Sequence, residues 1–195
     1  MKRKFVLIVP DNNKAYDFVQ KLAVKLKSLL YEIYVITPNR DYAEALELLD
    51  IKVIEVPECE NSSNILSKAR YIFSLMRVFW QLKPNTVLGY TTKPAVYGAI
   101  AARLCGECSI SALITSVDYL SYFNKIGLSA ADNAIFLNYN DKCRFVQNEL
   151  VDLEKTMVIN NYSIDKGWSD RTFKTLLTAM GLIKTTTNTD IINYV

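Results

Sequence analysis

The feature that most constrains this chain is an alternation of two hydrophobic patterns. Short runs, apolar at nearly every position, are followed by longer segments that are apolar at every third or fourth position. Phe5 to Val9 is the first run, and Pro10-Asp11-Asn12-Asn13 separates it from a segment carrying Phe18, Leu22, Leu26 and Leu29 or Leu30 at helical spacing. The unit repeats: Ile33 to Ile36, a turn at Thr37-Pro38-Asn39, a short helix with Ala43, Leu46 and Leu49, then Lys52 to Pro57. Strands without an outward polar face must be covered on both sides, so the pattern predicts a Rossmann-like three-layer α/β/α fold with a mainly parallel sheet.

The alternation continues. Asn61-Ser62-Ser63-Asn64 reads as a loop ending in a helix cap, opening a long helix over 65–82 with a broad apolar face. Thr86 to Tyr90 is a fourth strand, Pro94 to Leu104 a helix with proline in its first turn, and Ser109 to Thr115 a fifth strand. Strands at 134–137 and 156–159 flank a helix from Asn140 to Leu150. Residues 1–165 are expected to form one domain. Residues 166–195 add a helix at Thr172 to Met180 and a tail around Thr185 to Thr189 that is expected to fray. In such a sheet the functional loops lie at the carboxyl ends of the strands.

Composition removes several classes of function. Among 195 residues, 23 basic and 20 acidic side chains leave a charge of +3, without the basic excess of a nucleic-acid binder. There is no histidine, which removes Ser/His/Asp and Cys/His mechanisms. Cys59, Cys105, Cys108 and Cys143 have no second pair or histidine to complete a zinc site, so no metal and no cofactor is expected; Cys105 and Cys108 read as a helix end and a strand start. The apolar run after Met1-Lys2-Arg3-Lys4 is too short for a signal peptide, and Lys68, Arg70 and Arg77 interrupt the longest apolar helix. A cytoplasmic protein with reduced thiols is expected.

One stretch is more specific. Val87-Leu88-Gly89-Tyr90-Thr91-Thr92-Lys93-Pro94-Ala95-Val96-Tyr97-Gly98 resembles the strand-turn-helix of family 4 glycosyltransferases that build capsule and lipid-linked polysaccharides, where Tyr-Thr-x-Lys-Pro-x-x-Tyr-Gly is usual. Tyr31 to Pro38, Asp41-Tyr42 and Ile51 to Ile54 are similar to the family's second and third strands. The resemblance implies the N-terminal, acceptor-side half of a GT-B architecture, in which a second Rossmann-like domain holds the sugar nucleotide. The chain looks too short for that second domain. Glu47 and Glu55 have the spacing of the family's donor-binding glutamates but fall on the wrong elements. Thr115-Ser116-Val117-Asp118-Tyr119 stands where the family commonly has Thr-Gly-Leu-Gly-Tyr, replacing two glycines, and the segment from 119 to 134 looks too short for the family's long helix.

The resemblance implies a sugar or lipid-linked sugar acceptor, a donor-binding glycosyltransferase subunit as partner, and a place in cell-surface polysaccharide biosynthesis. An inactive remnant or a non-enzymatic Rossmann-like binding module are the alternatives, since fold alone does not establish activity. Asp11, Asn12 and Asn13 suit contact with an acceptor hydroxyl or phosphate, or a plain helix-capping turn. Tyr90 and Thr91 suit hydrogen bonding or stacking on a sugar, although Tyr90 also suits the end of a buried strand. Lys93 offers a charge for phosphate or a solvated surface lysine. Asp118, with Tyr119 beside it, falls at the expected cleft centre, as a catalytic base or a loop-capping carboxylate. The helix bearing Tyr71, Phe73, Phe79 and Trp80 with Lys68, Arg70 and Arg77 suits core packing or peripheral contact with the inner face of a membrane. An uncovered cleft face would also favour self-association.

Overall fold

The computed structural model describes residues 2–58, 64–115, 122–159 and 168–184. Among these residues seven strands, β1 (Arg3–Ile8), β2 (Tyr31–Thr37), β3 (Lys52–Glu55), β4 (Thr86–Tyr90), β5 (Ser109–Ile114), β6 (Asn133–Phe136) and β7 (Thr156–Val158), form one sheet in the order β3-β2-β1-β4-β5-β6-β7. Every neighbouring pair is parallel, with Leu7 beside both Val35 and Leu88. The expected Rossmann-like α/β fold is observed. Strand order reverses between β1 and β4, the position where open α/β sheets leave a crevice beyond the strand carboxyl ends.

Among the described residues seven α-helices cover the sheet: α1 (Asn13–Ser28), α2 (Ala43–Glu47), α3 (Ile65–Leu82), α4 (Thr92–Cys105), α5 (Tyr122–Ala130), α6 (Tyr139–Gln147) and α7 (Asp170–Ala179). The period of two along β1 divides the core. Phe5, Leu7 and Val9 face a layer made by α1, α2 and α7, while Val6 and Ile8 face α3, α4, α5 and α6. Fully burying side chains of this size stabilises by roughly 1.5–3 kcal/mol each. The C-terminal helix is part of the fold: Phe18 of α1 packs against Trp168 at 4.6 Å and Phe173 of α7 at 5.6 Å between ring centroids.

Local signals explain the helix starts. Asn12, Asn64, Asn138 and Ser169 each accept a hydrogen bond from a first-turn backbone N–H. Residues 61–63 of the expected cap loop lie outside the described residues. The segment between residues 119 and 134, which looks too short for the family's long helix, holds the nine-residue helix α5. Gly127 lies inside α5 because a side-chain carbon there would meet the Val96 backbone at 2.7 Å, so the glycine marks close helix packing rather than a break.

Candidate functional site

The switch point brings together two of the loops singled out in the sequence. Ile8 pairs with Gly89, so the turn after β1 and the turn after β4 leave the sheet side by side. Asn12 is extended, and its side chain accepts from the Ala15 amide at 2.8 Å, capping α1. Asp11 accepts a hydrogen bond from the Asn39 carboxamide, which also donates to Asp41 at 3.1 Å. The Tyr42 hydroxyl donates to the Asn13 side-chain oxygen Oδ1, and the Tyr42 ring stacks on Tyr16 at 4.8 Å. All three candidates of the first loop thus have internal partners, and those of Asp11 and Asn13 tie it to the loop after β2. Beneath them the cavity lined by Val9, Tyr16, Thr37, Tyr42 and Leu46 measures about 20 Å³, room for one water and no sugar.

The turn after β4 has a different character. Gly89 ends in close contact with α4, and Thr91 adopts φ 75°, ψ 165°, a region that β-branched residues avoid at a cost of about 1–3 kcal/mol. Two backbone hydrogen bonds hold it there: its N–H donates to the Leu113 carbonyl at 2.9 Å, and its own carbonyl accepts from Ala95 at 3.0 Å. The Thr91 side chain does not cap α4, and the first turn of this 14-residue helix carries no acid. The helix dipole and the exposed Lys93 therefore favour an anionic group at this end. Tyr90 ends a buried strand: 5% exposed, its ring stacks on Phe18 at 4.4 Å and is unavailable as a sugar platform. Asp118 and Tyr119 lie outside the described residues.

Two residues that the sequence reading passed over belong to this end of the sheet. Burial pushes the Glu58 carboxyl up, and the charge of Lys93 partly opposes that shift, placing a partly desolvated acid near the lysine. Lys142, in the first turn of α6, is 3% exposed. Glu58 follows the third strand in a polar loop, and Lys142 sits one turn before Phe145 on the inward face of α6; only these weak positional signals could have found them. A larger cavity of about 320 Å³, bounded by Trp80, Lys83, Asn85 and Glu107, opens at the amino ends of β4 and β5, away from these loops.

A parallel sheet of this order, with polar loops gathered where the order reverses, is a Rossmann-like sheet with its crevice at the switch point. Residues 6–147 match the family model described as glycosyl transferase 4-like, and the chain belongs to that family. No protein of curated function matches the sequence significantly. Among solved structures, a glycosyltransferase from Rickettsia africae ESF-5 is similar with a TM-score of 0.63 and 16% identity, over 94% of this chain and 50% of that one. The lipopolysaccharide outer core galactosyltransferase WaaB in its apo form gives 0.59 and 15%, over 82% and 46%. A UDP-N-acetylglucosamine 2-epimerase from Rickettsia bellii gives 0.58 and 17%, over 81% and 44%. These likenesses are of fold, and the chain spans about half the length of these structures.

Proposed function

We propose that this chain binds the acceptor in a glycosyltransferase of cell-surface polysaccharide biosynthesis, its acceptor being a sugar or lipid-linked sugar. A second Rossmann-like domain, on a donor-binding subunit, holds the sugar nucleotide across the crevice. The observation that carries this reading is the turn after β4: a strained Thr91, a helix start without a side-chain cap, and the exposed Lys93 in its first turn, whose charge acts on Glu58. Lys93 and the amino end of α4 stabilise the negative charge of a phosphate-linked acceptor, while Glu58 accepts a hydrogen bond from a sugar hydroxyl. Strain retained in a β-branched residue at this crevice fits a binding turn fixed in advance of its ligand.

The test needs no donor. Immobilised protein is exposed to polyprenyl-phosphate-linked sugars and to the same free oligosaccharides, and binding is compared with that of the Lys93→Gln and Glu58→Gln variants. We expect binding that weakens at least ~10-fold in Lys93→Gln, about the loss of one charge-assisted hydrogen bond. Absence of binding, or identical affinity in both variants, rejects the site.

The internal bonding of Asp11, Asn12 and Asn13 favours a second reading, a binding module without turnover, because those groups are committed to the fold. Sugar transfer by the chain together with a donor-binding subunit decides between the two.

A further inference from the structure

The structure separates the aromatic residues of α3 into two faces. Tyr71, Leu75 and Phe79 recur every four residues and are buried in the core. Leu66, Phe73 and Trp80 recur every seven and are exposed by 68%, 60% and 50%. Arg70 and Arg77 fall between them, so the order Leu66, Arg70, Phe73, Arg77, Trp80 follows alternating steps of four and three and traces one continuous stripe. Both arginines are exposed and make no ion pair with a described residue. Phe73 and Trp80 meet edge to face at 6.3 Å, forming one aromatic ridge. Lys68, which the sequence grouped with the arginines, instead lies over the Phe123 ring at 4.7 Å.

We infer that this stripe is a docking surface for a bilayer containing anionic lipid, with α3 lying in the plane of the interface. The charge pattern selects the occupant. No Asp or Glu occurs from Ile65 to Leu82, so pairing α3 with a second copy of itself would set arginines against arginines while burying the ridge. An anionic surface pairs with Arg70 and Arg77 and accepts the apolar ridge in the same contact, and tryptophan beside arginine is the composition that favours a lipid headgroup layer. Among the described residues no helix is long and apolar enough to cross a membrane, so α3 lies on the bilayer rather than spanning it. This inference does not depend on the chain binding sugars.

The two tryptophans make the test direct. Trp80 is half exposed, whereas Trp168 is 9% exposed in the core. Vesicles of phosphatidylglycerol and phosphatidylcholine should shift tryptophan emission to the blue and carry the protein upward in flotation, with weaker binding as salt rises. Pure phosphatidylcholine vesicles should do neither. The shift should vanish in Trp80→Phe and persist in Trp168→Phe. Arg70→Gln/Arg77→Gln should bind roughly 30-fold more weakly, the factor expected from two basic residues near an anionic surface. Phe73→Ser should weaken binding while leaving the circular dichroism and melting curves unchanged, because the residue is exposed. Failure to bind anionic vesicles overturns the inference, as does equal binding to neutral vesicles. Sedimentation that reveals a dimer abolished by Phe73→Ser, without vesicle binding, would assign the stripe to a second copy; capture of an acidic protein by the stripe, again without vesicle binding, would assign it to a protein partner.

Discussion

A side-chain carbon at Gly89 would stand 2.2 Å from the Cα of Ala95 and 2.8 Å from the Pro94 carbonyl oxygen. Backbone meets backbone here, so α4 could accept it only by moving away from β4 and carrying the Thr91 turn with it. Gly89→Ala should cost about 3 kcal/mol or more in urea unfolding. Gly98→Ala, whose added carbon meets mainly the Ile8 side-chain tip at 2.3 Å, should cost about 1–2 kcal/mol, since a rotamer change relieves it. Equal costs at both positions would mean that the α4 contact yields as readily as a side chain.

Glu58 makes stability depend on pH in a definite direction. Burial raises its carboxyl in the folded state, so no penalty exists while the group is protonated below its ordinary range near ~4.3. Stability is lost as pH rises through the raised value and the charge forms in a partly dry site. Glu58→Gln should therefore melt with the wild type at about pH 3.5 and above it at about pH 7. Lys93→Met, which removes the opposing charge, should lower the neutral-pH melting temperature unless Glu58 is also changed. A Glu58→Gln gain confined to acid pH would contradict the assignment.

The thiols of Cys105 and Cys108 should be slow nucleophiles. Burial raises both, Cys108 to about 11. Peptide mapping after iodoacetamide treatment of the folded protein at neutral pH should find Cys108 largely unmodified, with labelling that accelerates as pH approaches that value. Unfolding in urea should abolish the protection. Rapid labelling of Cys108 in the folded protein would refute it.

Ser111 lies inside β5, 1% exposed, and its hydroxyl has no hydrogen-bond partner among the described residues. Ser111→Ala removes an unpaired buried hydroxyl and leaves only a small void, so it should be neutral or stabilising by up to ~1 kcal/mol in denaturant unfolding. A clear loss of stability would reveal a partner for the hydroxyl.

The parallel sheet was legible because its strands are apolar on both faces, as in Phe5 to Val9, and few other arrangements cover such strands. Caps were legible at Asn12 and Asn64 but not at Asn138, where the sequence pattern begins the helix at Asn140. Helix α5 was not, because Gly127 looks like a breaker until Val96 is known to press against it. The candidate site was only half legible. Lys93 stands out beside its strand, but Glu58 acquires meaning only when the crossover from β3 past β1 to β4 places its carboxyl near Lys93. The two faces of α3 were merged for a similar reason: two apolar stripes on one helix read as one broad face until the sheet chooses which to bury.

The packing of Phe18 against Trp168 and Phe173 also bears on how the chain is made. Helix α1 is synthesised well before Trp168 and before Phe173 of α7, the rings that close over it. Until Phe173 has left the ribosome, Phe18 on α1 and Tyr90 on β4 form an open aromatic surface. Long-range closure of this kind slows folding and leaves such surfaces available to chaperones during synthesis.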